Sequence, residues 1–178
     1  LINGEAREWK PISTDSTGNF KGDDLSGGYL YLHYHAEEEG TALLNISGHN
    51  MVFFNGVPHG GDIYKYGWLY VPVNIKKGRN DILIRCSRWA RWQGIGAQLI
   101  FPDKPIMLQT QDATLPHIIV GQENEKLIGA VVVINTTKKH LENLTITSRL
   151  EGSEVTLPLP SIPSMTSRKV AFHFNAGN

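Results

Sequence analysis

The sequence predicts an all-β protein made of two successive β-sandwiches, and three observations lead there. Helical periodicity is nearly absent, strand-like segments are short and closely spaced, and the turns between them carry residues that specific turn geometries require. The one long apolar run that could be read as a helix, "NEKLIGAVVVI" (Asn124 to Ile134), is rich in β-branched residues and interrupted by Gly129, which favours a strand.

The strands follow in order. "GGYLYLHYHAE" (27–37) alternates and is bounded by glycines; "TALLNISG", "NMVFFNG", "WLYVPVNI", "NDILIRCS" and "GIGAQLIF" follow, each ended by Gly, Pro, Asn or Asp. Asn55-Gly56 suits a two-residue type I′ hairpin, because both central residues need a positive φ. Gly78 in "KKGRN" is expected to take the left-handed position of the next turn. A composition break falls at "FPDKPIM" (Phe101 to Met107): every Trp and every Tyr precedes it, and Phe172 and Phe174 are the only aromatics beyond it. Past the break, "HIIVGQ", "LIGAVVVINTT", "LENLTITSRL", "SEVTLPLP" and "RKVAFHF" read as a second, smaller all-β unit, with "PLPSIPS" as a loop inside it. The expected division is residues 1–104 and 105–178.

Composition excludes several classes. With 17 Lys plus Arg against 17 Asp plus Glu and no long basic stripe, a nucleic-acid partner is disfavoured. No apolar run approaches the roughly 20 residues of a helical membrane span. A single cysteine, Cys86 in "DILIRCS", allows neither an internal disulfide nor a cysteine-based zinc site, and reads as a small core residue. The start at Leu1 and the end in "VAFHFNAGN" suggest a processed product or an excised fragment.

The stretch "MVFFNGVPHGGDIYKYGWLYVPVNIKKGRNDILIRC" resembles the galactose-binding-like jelly roll, the fold of the N-terminal sugar-binding-fold domain of β-galactosidase- and β-glucuronidase-type enzymes. The resemblance rests on Asn55-Gly56, the Gly60-Gly61 loop, the apolar Pro72, Val73 and Ile75, and the turn at Gly78. Together with "WKPISTDSTGNFKGDDLSGGYLYLHYHAEEEG", it is similar over residues 9–102 to the N-terminal jelly roll of secreted bacterial α/β-hydrolases of the prolyl-oligopeptidase type. In those proteins a jelly roll and an immunoglobulin-like module precede the catalytic domain. The resemblance implies a galactose-binding-like jelly roll (1–104) followed by an immunoglobulin-like or fibronectin-like sandwich (105–178). It further implies an extracytoplasmic accessory region, periplasmic, secreted or at the cell surface. Its partner would be a C-terminal catalytic domain of the same polypeptide, in a parent that is a serine hydrolase or a glycoside hydrolase. No Gly-x-Ser-x-Gly elbow surrounds any serine, Ser47, Ser87 and Ser153 included, so catalysis by this chain is not expected.

Four groups of residues are candidates for a site. Tyr64, Tyr66, Trp68 and Tyr70 would share one face if the segment were an extended strand. They would then most simply pack into a core or against the companion domain, with a platform for sugar rings as the alternative. In "SRWARWQG", Arg88, Trp89, Arg91 and Trp92 most simply plug one end of the sandwich or the domain junction with the tryptophans while the arginines reach water; the alternative is a stacking and charged surface that suits glycan binding. His33 and His35 could begin a metal site completed by His49, His59 or Asp62, although such pairs are more often solvent-facing. Asp23, Asp24 and Asp62 could hold a structural calcium ion; no other cofactor is expected. The Asn-x-Ser/Thr triplets at Asn45, Asn135 and Asn143 read as accidents of Thr-rich strands if the source is bacterial. Three functional classes follow: an accessory region that positions or shields a catalytic domain and contacts its substrate, a carbohydrate-binding module, and a stand-alone enzyme.

Overall fold

The computed structural model describes residues 8–117, 126–150 and 152–175. In the first half, alternating short apolar segments form β1 (Tyr29–Ala36), β2 (Gly40–Ser47), β3 (His49–Phe54), β4 (Val57–Gly60), β5 (Val71–Ile75), β6 (Gly78–Cys86), a single helical turn α1 (Ala90–Gln93) and β7 (Gly96–Ile100). They make a four-stranded antiparallel sheet in the order β1-β6-β3-β4 and a three-stranded antiparallel sheet in the order β5-β2-β7. The second half adds β8 (Ile106–Thr114), β9 (Lys126–Asn135), β10 (Thr145–Leu150), β11 (Ser153–Pro158) and β12 (Thr166–Asn175), paired as β12-β9-β8 and β10-β11. The expected all-β class is observed, and among the described residues no helix is long and apolar enough to cross a membrane.

Strand period explains the first core. On the central strand β6, Asn80, Ile82, Ile84 and Cys86 are buried, while Arg79 and Arg85 are exposed. Register then aligns rows of apolar side chains: Leu30, Ile84 and Val52 lie side by side, as do Leu32, Ile82 and Phe54. Ala42, Leu44 and Ile46 of β2 and Val73 and Ile75 of β5 join the same cluster, so both sheets share one core. A second cluster gathers Val131, Val133, Ile162 and Val170, with Ile106, Leu144, Ile146 and Phe172 against it.

The turns behave as their residues demand. Phe54 ends one strand and Val57 begins the next, with Asn55 and Gly56 both at positive φ (49° and 83°). Gly78 sits at φ 85° as expected. The fully buried Asn80 joins the two turns. Its Oδ1 accepts from the Lys76 backbone N–H (3.0 Å) and Asn55 Nδ2 (2.9 Å), and its Nδ2 donates to the carbonyls of Lys76 (2.8 Å) and Gly78 (3.0 Å).

Other elements differ from the sequence expectation. The strand expected from Trp68 begins only at Val71, and β8 forms where the sequence shows a composition break. "HIIVGQ" lies, apart from His117, outside the described residues. Asn45 and Asn135 are committed internally: Asn135 is fully buried, and its Nδ2 donates to the carbonyls of Lys139 (2.8 Å) and Pro163 (2.9 Å).

The two halves touch along the outer face of the β5-β2-β7 sheet. Leu43 points away from the first core yet is fully buried, and Thr41 on the same face reaches Met165 Sδ at 3.9 Å.

Replacing Asn80 with Ala strands several buried donors and acceptors. Asn80→Ala is expected to lower stability by about 2–4 kcal/mol. In urea denaturation this appears as a lower midpoint at unchanged slope; a loss of less than about 0.5 kcal/mol would contradict the role assigned to this amide.

Candidate functional site

The four aromatics do not lie on a strand. Between the end of β4 and the start of β5 the chain is irregular, with Lys65 and Gly67 at φ 59° and 73°. The segment is not an extended strand, so the shared strand face expected of Tyr64, Tyr66, Trp68 and Tyr70 does not form. The physical reason is Asp62, which is nearly buried and turns the chain back on itself. Its carboxylate accepts the backbone N–H groups of Tyr66 (3.0 Å) and Gly67 (2.6 Å), and its carbonyl accepts those of Gly48 (2.9 Å) and Lys65 (3.2 Å). Gly61 makes the approach possible, because a Cβ there would collide with the backbone of His49 and Asn50.

Side chains from neighbouring elements fasten the rest of the loop. Asn45, on the outer face of β2, donates to the carbonyls of Gly67 (2.8 Å) and Leu69 (2.9 Å). Gln109 of β8 donates to the Trp68 carbonyl (2.8 Å) and accepts from the Asp112 N–H (2.9 Å). Lys65 Nζ donates to Asn19 Oδ1 (3.2 Å) and to the carbonyl of Gln93.

This fixed backbone carries rings that face solvent. Tyr64 is 76% exposed, Tyr66 60% and Trp68 43%. They run as a series: Tyr66 stacks on Trp68 with centroids 4.7 Å apart and planes at 19°, and Tyr64 lies 6.0 Å from Tyr66 at 41°. Tyr70 departs from the series; its hydroxyl turns to Gln111 of β8 at 3.4 Å. Core packing is thereby ruled out for Tyr64 and Tyr66, whereas the far end of the loop is held by the second half of the chain.

The second candidate group stands on α1 and the residue pair before it. Trp89 and Trp92 are 39% and 59% exposed, with centroids 5.8 Å apart. The guanidinium of Arg88 lies 4.5 Å from the Trp89 ring centre and that of Arg91 3.6 Å from Trp92. Ala90 is fully buried and anchors the turn, and the Ser26 hydroxyl donates to the Arg88 carbonyl (3.1 Å). The tryptophans therefore do not plug the sandwich. The Lys65–Gln93 hydrogen bond joins this turn to the 61–70 loop.

The metal-ligand candidates do not converge. Among the described residues no group of three His, Cys, Asp or Glu side chains is placed to hold an ion. Asp24 pairs with Lys10 (3.2 Å), Asp62 is occupied by backbone N–H groups, and His33 stacks beside Tyr31 at 6.4 Å.

His49 and Cys86 face each other across β3 and β6, both buried. Burial pushes the His49 pKa down to about 4 against the opposing pull of the Asp62 charge, and pushes the Cys86 thiol up to about 11. A neutral imidazole facing a protonated thiol is not an activated nucleophile pair. His49 matters to the loop instead, since its Nδ1 accepts the Asp62 N–H (3.4 Å). In the sequence, Asp62 and His49 stand out only as candidate metal ligands. The signal for their real role was an aspartate between Gly61 and Gly67, a spacing that fits a carboxylate capping its own loop.

No protein-family model matches the chain, and no curated protein matches it. Function is therefore read from these side chains.

Two outcomes follow from the geometry. Asp62→Ala should free the Tyr66 and Gly67 amides by about 1.5–3 kcal/mol, so that their hydrogen exchange accelerates about tenfold or more; unchanged exchange would rule out Asp62 as the anchor. Since His49 is held neutral in the fold, the folded state binds fewer protons than the unfolded one between pH 6.5 and about 4. Its contribution is complete above pH 6.5 and declines as pH falls through that window. Stability is expected to drop by about 2–3 kcal/mol from this group between about pH 7 and 4.5, a slope that His49→Gln removes in paired urea titrations.

Proposed function

We propose that the chain is a non-catalytic accessory region of a larger exported bacterial hydrolase, and that the 61–70 loop with α1 is its contact surface for polymeric carbohydrate. In this reading residues 1–104 are a galactose-binding-like jelly roll, and residues 105–178 an immunoglobulin-like spacer bearing on the loop through Gln109. The observation that carries the proposal is the exposure of Tyr64, Tyr66 and Trp68 on a backbone fixed by Asp62, Asn45 and Gln109. Exposed rings on an already ordered loop bind with little further loss of conformational freedom, and aromatic faces and edges pack well on the C–H faces of sugars.

A second reading is favoured by the Tyr66–Trp68 stack. At 4.7 Å it covers one face of each ring, as in aromatic clusters that meet another protein surface. Here the column docks on the catalytic domain of the same polypeptide and positions or shields it.

Retention on a panel of insoluble polysaccharides separates the two. The glycan reading expects retention that falls at least about tenfold in Trp68→Ala and Tyr66→Ala, each worth about 1.4 kcal/mol or more, with the melting temperature preserved. If no polysaccharide retains the chain, glycan contact is wrong. The docking reading then expects Trp68→Ala to lower the melting temperature of the catalytic domain in the full-length protein.

A further inference from the structure

We propose that the two Trp–Arg stacks at residues 88–92 form a subsite for the acidic group of an anionic glycan, a uronate carboxylate or a sulfate ester. This rests on the glycan reading above and names the substrate class within it.

The stacks are poorly suited to neutral sugars. A sugar needs an open aromatic face, and one face of Trp92 is taken by the Arg91 guanidinium at 3.6 Å, with Arg88 placed similarly over one face of Trp89 at 4.5 Å. A guanidinium lying over an indole keeps its N–H groups around its rim, where they match two oxygens of a carboxylate or sulfate. Stacking also removes rotamer freedom before any ligand arrives, so less is lost on binding.

Both arginines are exposed, and among the described residues neither pairs with a carboxylate. Arg79 and Arg149, by contrast, are held by Asp81 (2.8 Å) and Glu154 (2.6 Å). Lys65 adds a third positive group at the same turn through its bond to the Gln93 carbonyl, and among the described residues it too has no carboxylate in ion-pair range. The nearby Asp15 is already engaged by Lys21 at 2.8 Å. Three cations on one connected surface, in a chain whose charges taken all together sum to zero, make a local positive excess that an anion can balance.

The test is titration calorimetry of the 178-residue chain with polygalacturonate, dextran sulfate, neutral dextran and polyglutamate, at low and at moderate salt. Expected is binding to polygalacturonate or dextran sulfate that weakens with salt, with the stronger of the two identifying carboxylate or sulfate. Arg88→Ala and Arg91→Ala should each reduce the affinity about tenfold or more. Arg91→Lys should recover little, because it keeps the charge but loses the fork and the stack. Both side chains are exposed, so the variants should keep the parent melting temperature. Binding of acidic glycans that ignores both arginine substitutions overturns the subsite. Binding of neutral dextran alone, lost in Trp68→Ala, also overturns it while leaving glycan contact intact. Arginine-dependent binding of polyglutamate without any glycan overturns the choice of ligand in favour of an acidic peptide. Binding of none of the four overturns the subsite, and the insoluble-polysaccharide panel then decides separately whether glycan contact survives.

Discussion

Between Gly61 and Tyr70 the chain crosses the outer face of a sheet without forming a strand, and its backbone polar groups still need partners. Asp62 provides them from within the loop, and Asn45 and Gln109 from strands β2 and β8. Each such bond contributes about 1 kcal/mol, and those to the carboxylate about 1.5–3 kcal/mol. Leaving aromatic rings outside forgoes burial worth a comparable amount, roughly 25 cal/mol per Å² of apolar surface. The rings stay out because the backbone beneath them is already satisfied, and a collapse that buried them would break that set of bonds. The position of the candidate surface thus follows from hydrogen bonding, not from apolar packing.

Charge is distributed on a similar logic. Under the loop, burial holds His49 and Cys86 in their neutral forms beside the Asp62 carboxylate. The surrounding surface holds Arg88, Arg91 and Lys65 with no acidic neighbour in ion-pair range among the described residues. A net charge of zero conceals this local imbalance, because the balancing acids lie elsewhere, the exposed run Glu37, Glu38 and Glu39 among them.

Much of the fold could be read from the sequence because turn residues encode local geometry. Asn55-Gly56 and Gly78 need positive φ whatever surrounds them, and strand alternation through Ile82 and Ile84 follows directly. The loop could not be read this way. Tyr64, Tyr66, Trp68 and Tyr70 have the spacing of a strand, but the backbone answers to a carboxylate acting four and five residues ahead of itself and to partners as distant as Gln109. Strand β8 carries little sequence signal for a related reason: it directly follows the prolines of the composition break, and its pairing with β9 is irregular after Gln109. Of the candidate site, the residue types at 88–92 were legible, whereas the stacking that orients Arg88 and Arg91 was not.

The buried Leu43 and the Gln109–Trp68 bond have a consequence for how such a chain changes over generations. Beads on a string can be recombined freely, since each carries its own finished surface. Here Thr41 and the Trp68 carbonyl of the first half meet Met165 and the Gln109 amide of the second. Shuffling either half next to an unrelated neighbour would leave a raw seam, so the pair should be inherited as one piece, with drift on one side of the seam answered on the other.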